Sequence, residues 1–174
     1  MKAIVVYESL WGSTAAIARA IAAGIGPDAI ACSTADATPK LVAQAQLVVA
    51  GAPVHMMKLP SEKSREKART RYADAGGPAP DLSHPMMSTW LAGLPRTTGM
   101  AAAFDTRSDG QRGGAAGGRI LKQFRRLGYR PVSEPHAFYV ADKTVVPTPD
   151  GALLLGEIER ARHWGAQLAT VLAR

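Results

Sequence analysis

The run Ala3-Ile4-Val5-Val6-Tyr7-Glu8-Ser9-Leu10-Trp11-Gly12-Ser13-Thr14 sets the frame for the whole chain. Ile4 to Tyr7 is unbroken apolar sequence, the pattern of a strand buried on both faces of a parallel sheet. Ser9 to Thr14 then bring three hydroxyls and one glycine together. Ala15 to Ala23 is alanine-rich and carries Ile17, Ile21 and Ile25 at four-residue spacing, which predicts a helix with one apolar stripe. A strand, a hydroxyl-rich turn and a helix in this order form a phosphate cradle: the turn offers backbone N–H groups, and the helix adds its positive dipole end. No lysine follows Gly12, so the triphosphate-binding loop is excluded. The dinucleotide pattern G-x-G-x-x-G is absent here too. Neutral donors alone suit a single terminal monophosphate. The bland alternative is an ordinary N-capped helix after a first strand.

Outward from this run, Gly24, Gly26 and Pro27 stop the helix. A short second strand is expected at 28–34 and a weak helix at 38–45. Leu47-Val48-Val49-Ala50-Gly51 is a buried strand leading into Ala52-Pro53-Val54-His55-Met56-Met57. Alternation of strand and helix predicts an α/β fold with a doubly wound sheet, whose ligands sit beyond the carboxyl ends of the strands. Residues 61–74 are highly charged, with Ala68 and Tyr72 as their only inward candidates, and read as a solvated helix or a mobile flap. Residues 88–94 predict a short helix that buries Trp90. The fourth strand is expected at 99–104, followed by a polar loop from Asp105 to Gly114. A helix over 115–127 turns Ile120, Phe124 and Leu127 inward. The fifth strand is expected at 137–141. The last helix, from Leu153, carries Leu154, Ile158, Ala161, Leu168 and Leu172 on one face, with Trp164 at its flank.

The length suits one domain, and neither a second domain nor a linker is visible. No apolar run reaches membrane-spanning length, and Lys2 followed by strand-like sequence is no signal peptide, so a cytoplasmic protein is expected. Cys32 is alone and reads as a small core residue. His84, His136 and His163 lack metal-like spacing and read as surface or internally satisfied histidines. The formal charge is +7. Most of it comes from 58–71 and 107–130. Such charge fits solvated helix faces or an acidic partner, and the scarcity of interleaved aromatics argues against nucleic acid.

The pattern V-V-Y-x-S-x-x-G-x-T-x-x-x-A-x-x-I at Val5 to Ile21 resembles the flavodoxin phosphate-binding signature. The resemblance implies a three-layer flavodoxin-like fold, a doubly wound five-stranded parallel sheet of strand order 2-1-3-4-5 binding one FMN. By position, Ser9, Leu10, Trp11, Gly12, Ser13 and Thr14 would hold the phosphate. Pro53, Val54, His55 and Met56 would line one side of the isoalloxazine ring, and Asp105, Thr106 and Arg107 would meet its pyrimidine edge. Asp105 reads equally as a turn residue. Flavodoxins that shuttle single electrons usually surround the ring with aromatics and carboxylates. Here the ring loops lack aromatics, and Lys58, Arg107 and Arg112 stand where acids are expected. Three functions stay open: a two-electron flavin oxidoreductase of the quinone reductase kind, a one-electron carrier, and a non-redox binding or regulatory module. Electron donor and acceptor are not identified.

Overall fold

The computed structural model describes residues 2–108, 116–142, 146–147 and 151–173. Its elements run β1 (Ala3–Tyr7), α1 (Ser13–Ile25), β2 (Ala29–Ser33), α2 (Pro39–Val42), β3 (Leu47–Pro53), α3 (Glu62–Arg69), α4 (Met87–Ala92), β4 (Met100–Ser108), α5 (Ala116–Arg126), β5 (Arg130–Pro131), β6 (His136–Val140) and α6 (Glu157–Leu172). All strand pairs are parallel, and the order β2-β1-β3-β4-β5 is the expected one. Alternate residues of the central strands serve opposite cores. Ile4, Val6, Val48 and Ala50 face Trp90, Leu91, Ile120 and Phe124 of α4 and α5. Ala3, Val5, Leu47 and Val49 face Ile17, Ile21, Ala161, Trp164 and Leu168 of α1 and α6. The result is three layers, helices on both faces of the sheet.

The fifth position of the sheet is divided. β5 pairs with Met100 and Ala101, while β6 pairs with residues 104–108 of the same strand. β3 occupies the other edge of β4 from Met100 to Thr106, so β5 and β6 share one edge. Pro131 and Pro135 flank the gap, and neither can donate to a ladder. A sixth strand therefore stands where a single one was expected, with the order preserved.

Two boundaries and two other readings depart from the sequence expectations. β4 runs on to Ser108, so Asp105, Thr106 and Arg107 belong to a strand and not to a loop. The rest of that expected loop, 109–114, lies outside the described residues, Arg112 included. α6 begins at Glu157, because Gly156 takes φ 86° and Leu153 bridges antiparallel to Val140. Trp164 sits at the centre of its buried face, among Phe104, Phe138 and His136, and not at its flank. The charged segment after Ser61 is also no free flap. α3 is closed by a reciprocal Ser61–Ser64 capping box, and Arg65 and Ala68 are buried.

α1 and α6 pack with their backbones in contact. A Cβ on Gly165 would run into the Ile21 carbonyl oxygen, and one on Gly24 into the Arg162 carbonyl oxygen. Glycine at both positions is what allows this approach. Among the described residues, no helix is long and apolar enough to cross a membrane.

Candidate functional site

Gly12, at φ 92°, turns the chain from β1 into α1. The first helical bond runs from the Ala16 N–H to the Gly12 carbonyl, and α1 has no side-chain cap. The N–H groups of its first turn thus have no intrahelical acceptor and present a partial positive charge. Around them stand three hydroxyls. Ser9 is 6% exposed, and its Oγ is buried with no partner among the described residues. Ser13 Oγ accepts the Ala152 N–H at 2.9 Å, which leaves its own proton to donate elsewhere. Thr14 Oγ1 lies 2.8 Å from Thr106 Oγ1, so that pair uses one proton between them and retains the other.

Beside this helix end lies a pocket with about 640 Å³ of space, its open mouth included. It lies at the carboxyl ends of β1, β3, β4 and β6, where a doubly wound sheet places its ligands. Ten of the thirteen residues expected from the sequence line it: Ser9, Leu10, Trp11, Ser13 and Thr14 from the first loop, Pro53, Val54 and His55 from β3 and its turn, and Thr106 and Arg107 from β4. The other three do not. Gly12 shapes the turn behind it. Met56 is 76% exposed at the tip of the tight His55–Lys58 turn, where Met56 and Met57 both take positive φ. Asp105 is fully buried beneath the pocket floor.

Asp105 nonetheless determines what the pocket sees. Its carboxylate takes Arg107 Nε and Nη2, both at 2.7 Å, and the Gly117 N–H at 2.9 Å. This bidentate pair holds the Arg107 guanidinium pKa above its ordinary value, chiefly through the hydrogen bonds to Asp105. It also corrects the expectation of an uncompensated cation: Arg107 enters the pocket with a matching carboxylate behind it. Lys58 is exposed and does not line the pocket.

Aromatic surface, absent from the ring loops in the sequence, comes from elsewhere. Trp11 and Tyr72 meet edge to face with centroids 5.3 Å apart, and the Arg71 guanidinium lies 5.8 Å from the Trp11 ring. The Trp11 indole N–H reaches the Pro78 carbonyl at 3.3 Å. Arg71, Tyr72, Ser108, Val140, Ala141, Asp142, Pro147 and Ala152 complete the lining. None was singled out in the sequence as a site residue, because their positions depend on how distant segments fold over the pocket.

His55 Nδ1 lies 3.2 Å from Ser64 Oγ. Burial, with Arg71 and Arg65 nearby, pushes its pKa down to about 4, so the ring is neutral near pH 7. In the unfolded chain the ring ionises near 6.5. Between those values the unfolded state binds more protons, so this contribution to stability is complete above about pH 6.5 and is lost as pH falls towards 4. Burial lowers the His136 pKa too, with the same sign, while burial raises that of Glu8, with the opposite sign. The difference between the native chain and His55→Gln isolates His55. On going from pH 7 to pH 4.5, urea denaturation is expected to show the native chain losing up to about 3 kcal/mol more than the variant. Equal losses would mean that His55 is not desolvated.

No protein family matches the sequence, and no curated protein matches it either. Solved structures do match the fold. A flavodoxin from the domain Archaea is 22% identical over the whole of both chains, with a TM-score of 0.64. The Streptococcus pneumonia TIGR4 flavodoxin is 15% identical, with 98% of this chain and 99% of that one covered and a TM-score of 0.65. A flavodoxin, WrbA-like protein from Agrobacterium tumefaciens is 19% identical, with 99% and 97% covered and a TM-score of 0.61. Together with the parallel order 2-1-3-4-5 and the crevice at the carboxyl ends of the strands, these matches establish that the chain has the flavodoxin-like fold.

Proposed function

We propose that the chain binds FMN and acts as a flavodoxin-like redox protein, either an electron carrier or a two-electron flavin oxidoreductase. The observation that carries this is the Ser9 hydroxyl. A buried hydroxyl without a partner is costly, and here it stands beside the uncapped N-terminus of a long helix. A phosphate monoester would satisfy both. Ser9, Ser13 and Thr14, with the first-turn N–H groups, would hold the phosphate. Pro53, Val54 and His55 would flank the ring on one side, with Trp11 and Tyr72 supplying aromatic surface. Thr106 serves the phosphate end through Thr14, while Arg107, steadied by Asp105, serves the ring end. The flavin supplies the capacity to take up and release electrons. The basic side chains of 58–71 suit an acidic redox partner.

A second reading, a binding module of this fold without FMN, is favoured by one feature. The backbone of Gly151 and Ala152 lies directly against Ser13: a Cβ on Gly151 would meet Ser13 Oγ and N, and the Ala152 N–H already occupies that hydroxyl's lone pair.

Flavin titration followed by visible absorption and fluorescence separates the two. FMN is expected to bind with a perturbed spectrum and at least about tenfold more tightly than riboflavin, which lacks the phosphate. Ser9→Ala should weaken FMN by roughly 1.5–3 kcal/mol, leave riboflavin unchanged, and stabilise the flavin-free protein slightly, since an unpaired hydroxyl leaves the interior. Failure to take up either flavin would favour the module. Equal affinity for both would place the phosphate outside the cradle.

A further inference from the structure

We infer that His84 is a positioning residue for the anion-accepting loop and that Arg65 fixes His84 in place, an inference that rests on the FMN proposal above. His84 Nε2 lies 2.8 Å from the Ser9 carbonyl oxygen. A carbonyl only accepts, so Nε2 carries the proton and donates it. The Asp81 N–H donates to the Leu10 carbonyl at 2.8 Å. In a trans peptide the carbonyl and the following N–H point in opposite directions. Drawing the Ser9 and Leu10 carbonyls towards 81–84 therefore turns the Leu10 and Trp11 N–H groups the other way. Leu10 and Trp11 line the pocket, and residues 81–84 do not. Two further amide donors thus face the place where the phosphate would sit, and two repelling carbonyl oxygens are held off it.

The segment that does this is fastened from behind. Arg65 Nη2 donates to the carbonyls of Leu82 and His84, both at 2.9 Å. Its Nη1 lies 3.9 Å from Glu8 Oε1, and Glu8 Oε2 accepts the Met87 N–H at 2.8 Å. Glu8 is fully buried and Arg65 is 8% exposed. Thr34 Oγ1 adds a bond to the Pro85 carbonyl at 2.6 Å. Residues 81–87 are thereby bracketed between the end of β1 and α3, and the bracket sets the orientation of the loop that follows β1. Neither His84 nor Arg65 touches the ligand. They act through the peptide groups of Ser9 and Leu10.

The test compares dissociation constants for FMN and riboflavin in the full chain. His84→Leu removes the donor. His84→Asn keeps polarity but stops short of Ser9, and His84→Gln carries an N–H at about the reach of Nε2. The preference for FMN over riboflavin is expected to fall at least about tenfold in the Leu and Asn variants and to return in the Gln variant. Riboflavin affinity should stay within about twofold throughout, a readout that a merely structural role would not preserve. If the Leu variant does not fold, the Asn and Gln pair carries the comparison. Unchanged preference in the Asn variant, equal loss of both flavins, or failure of Gln to restore the preference overturns the inference. A native chain that takes up FMN no better than riboflavin overturns instead the proposal on which it rests.

Discussion

Gly165→Ala is expected to lower the unfolding free energy by about 3 kcal/mol, at the upper end of ordinary overpacking. For a chain of this length that corresponds to a fall in Tm of roughly 10 °C. The new methyl group would meet the Ile21 carbonyl oxygen, with the Gly24 Cα 3.0 Å away. Both obstacles are backbone, so no rotamer change relieves them. α1 and α6 would have to separate, opening the core that Ile17, Ile21, Ala161 and Leu168 share. Gly156→Ala supplies the comparison. It takes a left-handed φ of 86°, which Gly165 does not, but meets open space, and should cost only about 1 kcal/mol. Urea denaturation of both variants decides the matter. A Gly165 variant no less stable than the Gly156 variant would show that the two helices adjust freely.

Asp105→Ala is expected to cost about 3–5 kcal/mol. It removes the partner of Arg107, whose side chain is 12% exposed, and orphans the Gly117 N–H at the start of α5. The cost arises from what remains, an uncompensated guanidinium and an unpaired amide. Removing both charges, in Asp105→Ala with Arg107→Met, should therefore be less damaging than Asp105→Ala alone. Thermal unfolding of the two variants tests this directly. A double variant less stable than the single one would mean that the pair matters for packing and not for charge.

The strand, turn and helix at the head of the chain were legible because local and global signals agree there. A both-sides-buried strand, a glycine turn and an alanine-rich helix each favour the same geometry, and all lie within one short run. The same coherence made the sheet order readable. Arg65 was not legible. A charged run with no apolar stripe looks solvated, and the groups that satisfy Arg65 (Glu8 and the carbonyls of Leu82 and His84) are distant in sequence and partly backbone. Trp11 and Tyr72 show the same limit, since neither position announces that the other will reach it. The end of β4 was misjudged for a different reason. Asp-Thr-Arg has the composition of a turn, and only the two-residue spacing of Asp105 and Arg107, which puts both on one face of a strand, hints that they neutralise each other.

The split fifth strand bears on how the chain behaves in a crowded solution. Along the β4 side, part of the outermost backbone is already spent or blocked. Pro131 and Pro135 have no N–H to donate, and Tyr139 to Ala141 are bonded antiparallel to 152–154. The opposite rim differs. β2 pairs with β1 alone among the described residues, and Ile30 at its middle is 41% exposed. Recruitment of a foreign strand, whether in misassembly or in templated growth, thus has its more open side here, and a lysine at position 30 would be the economical guard against it.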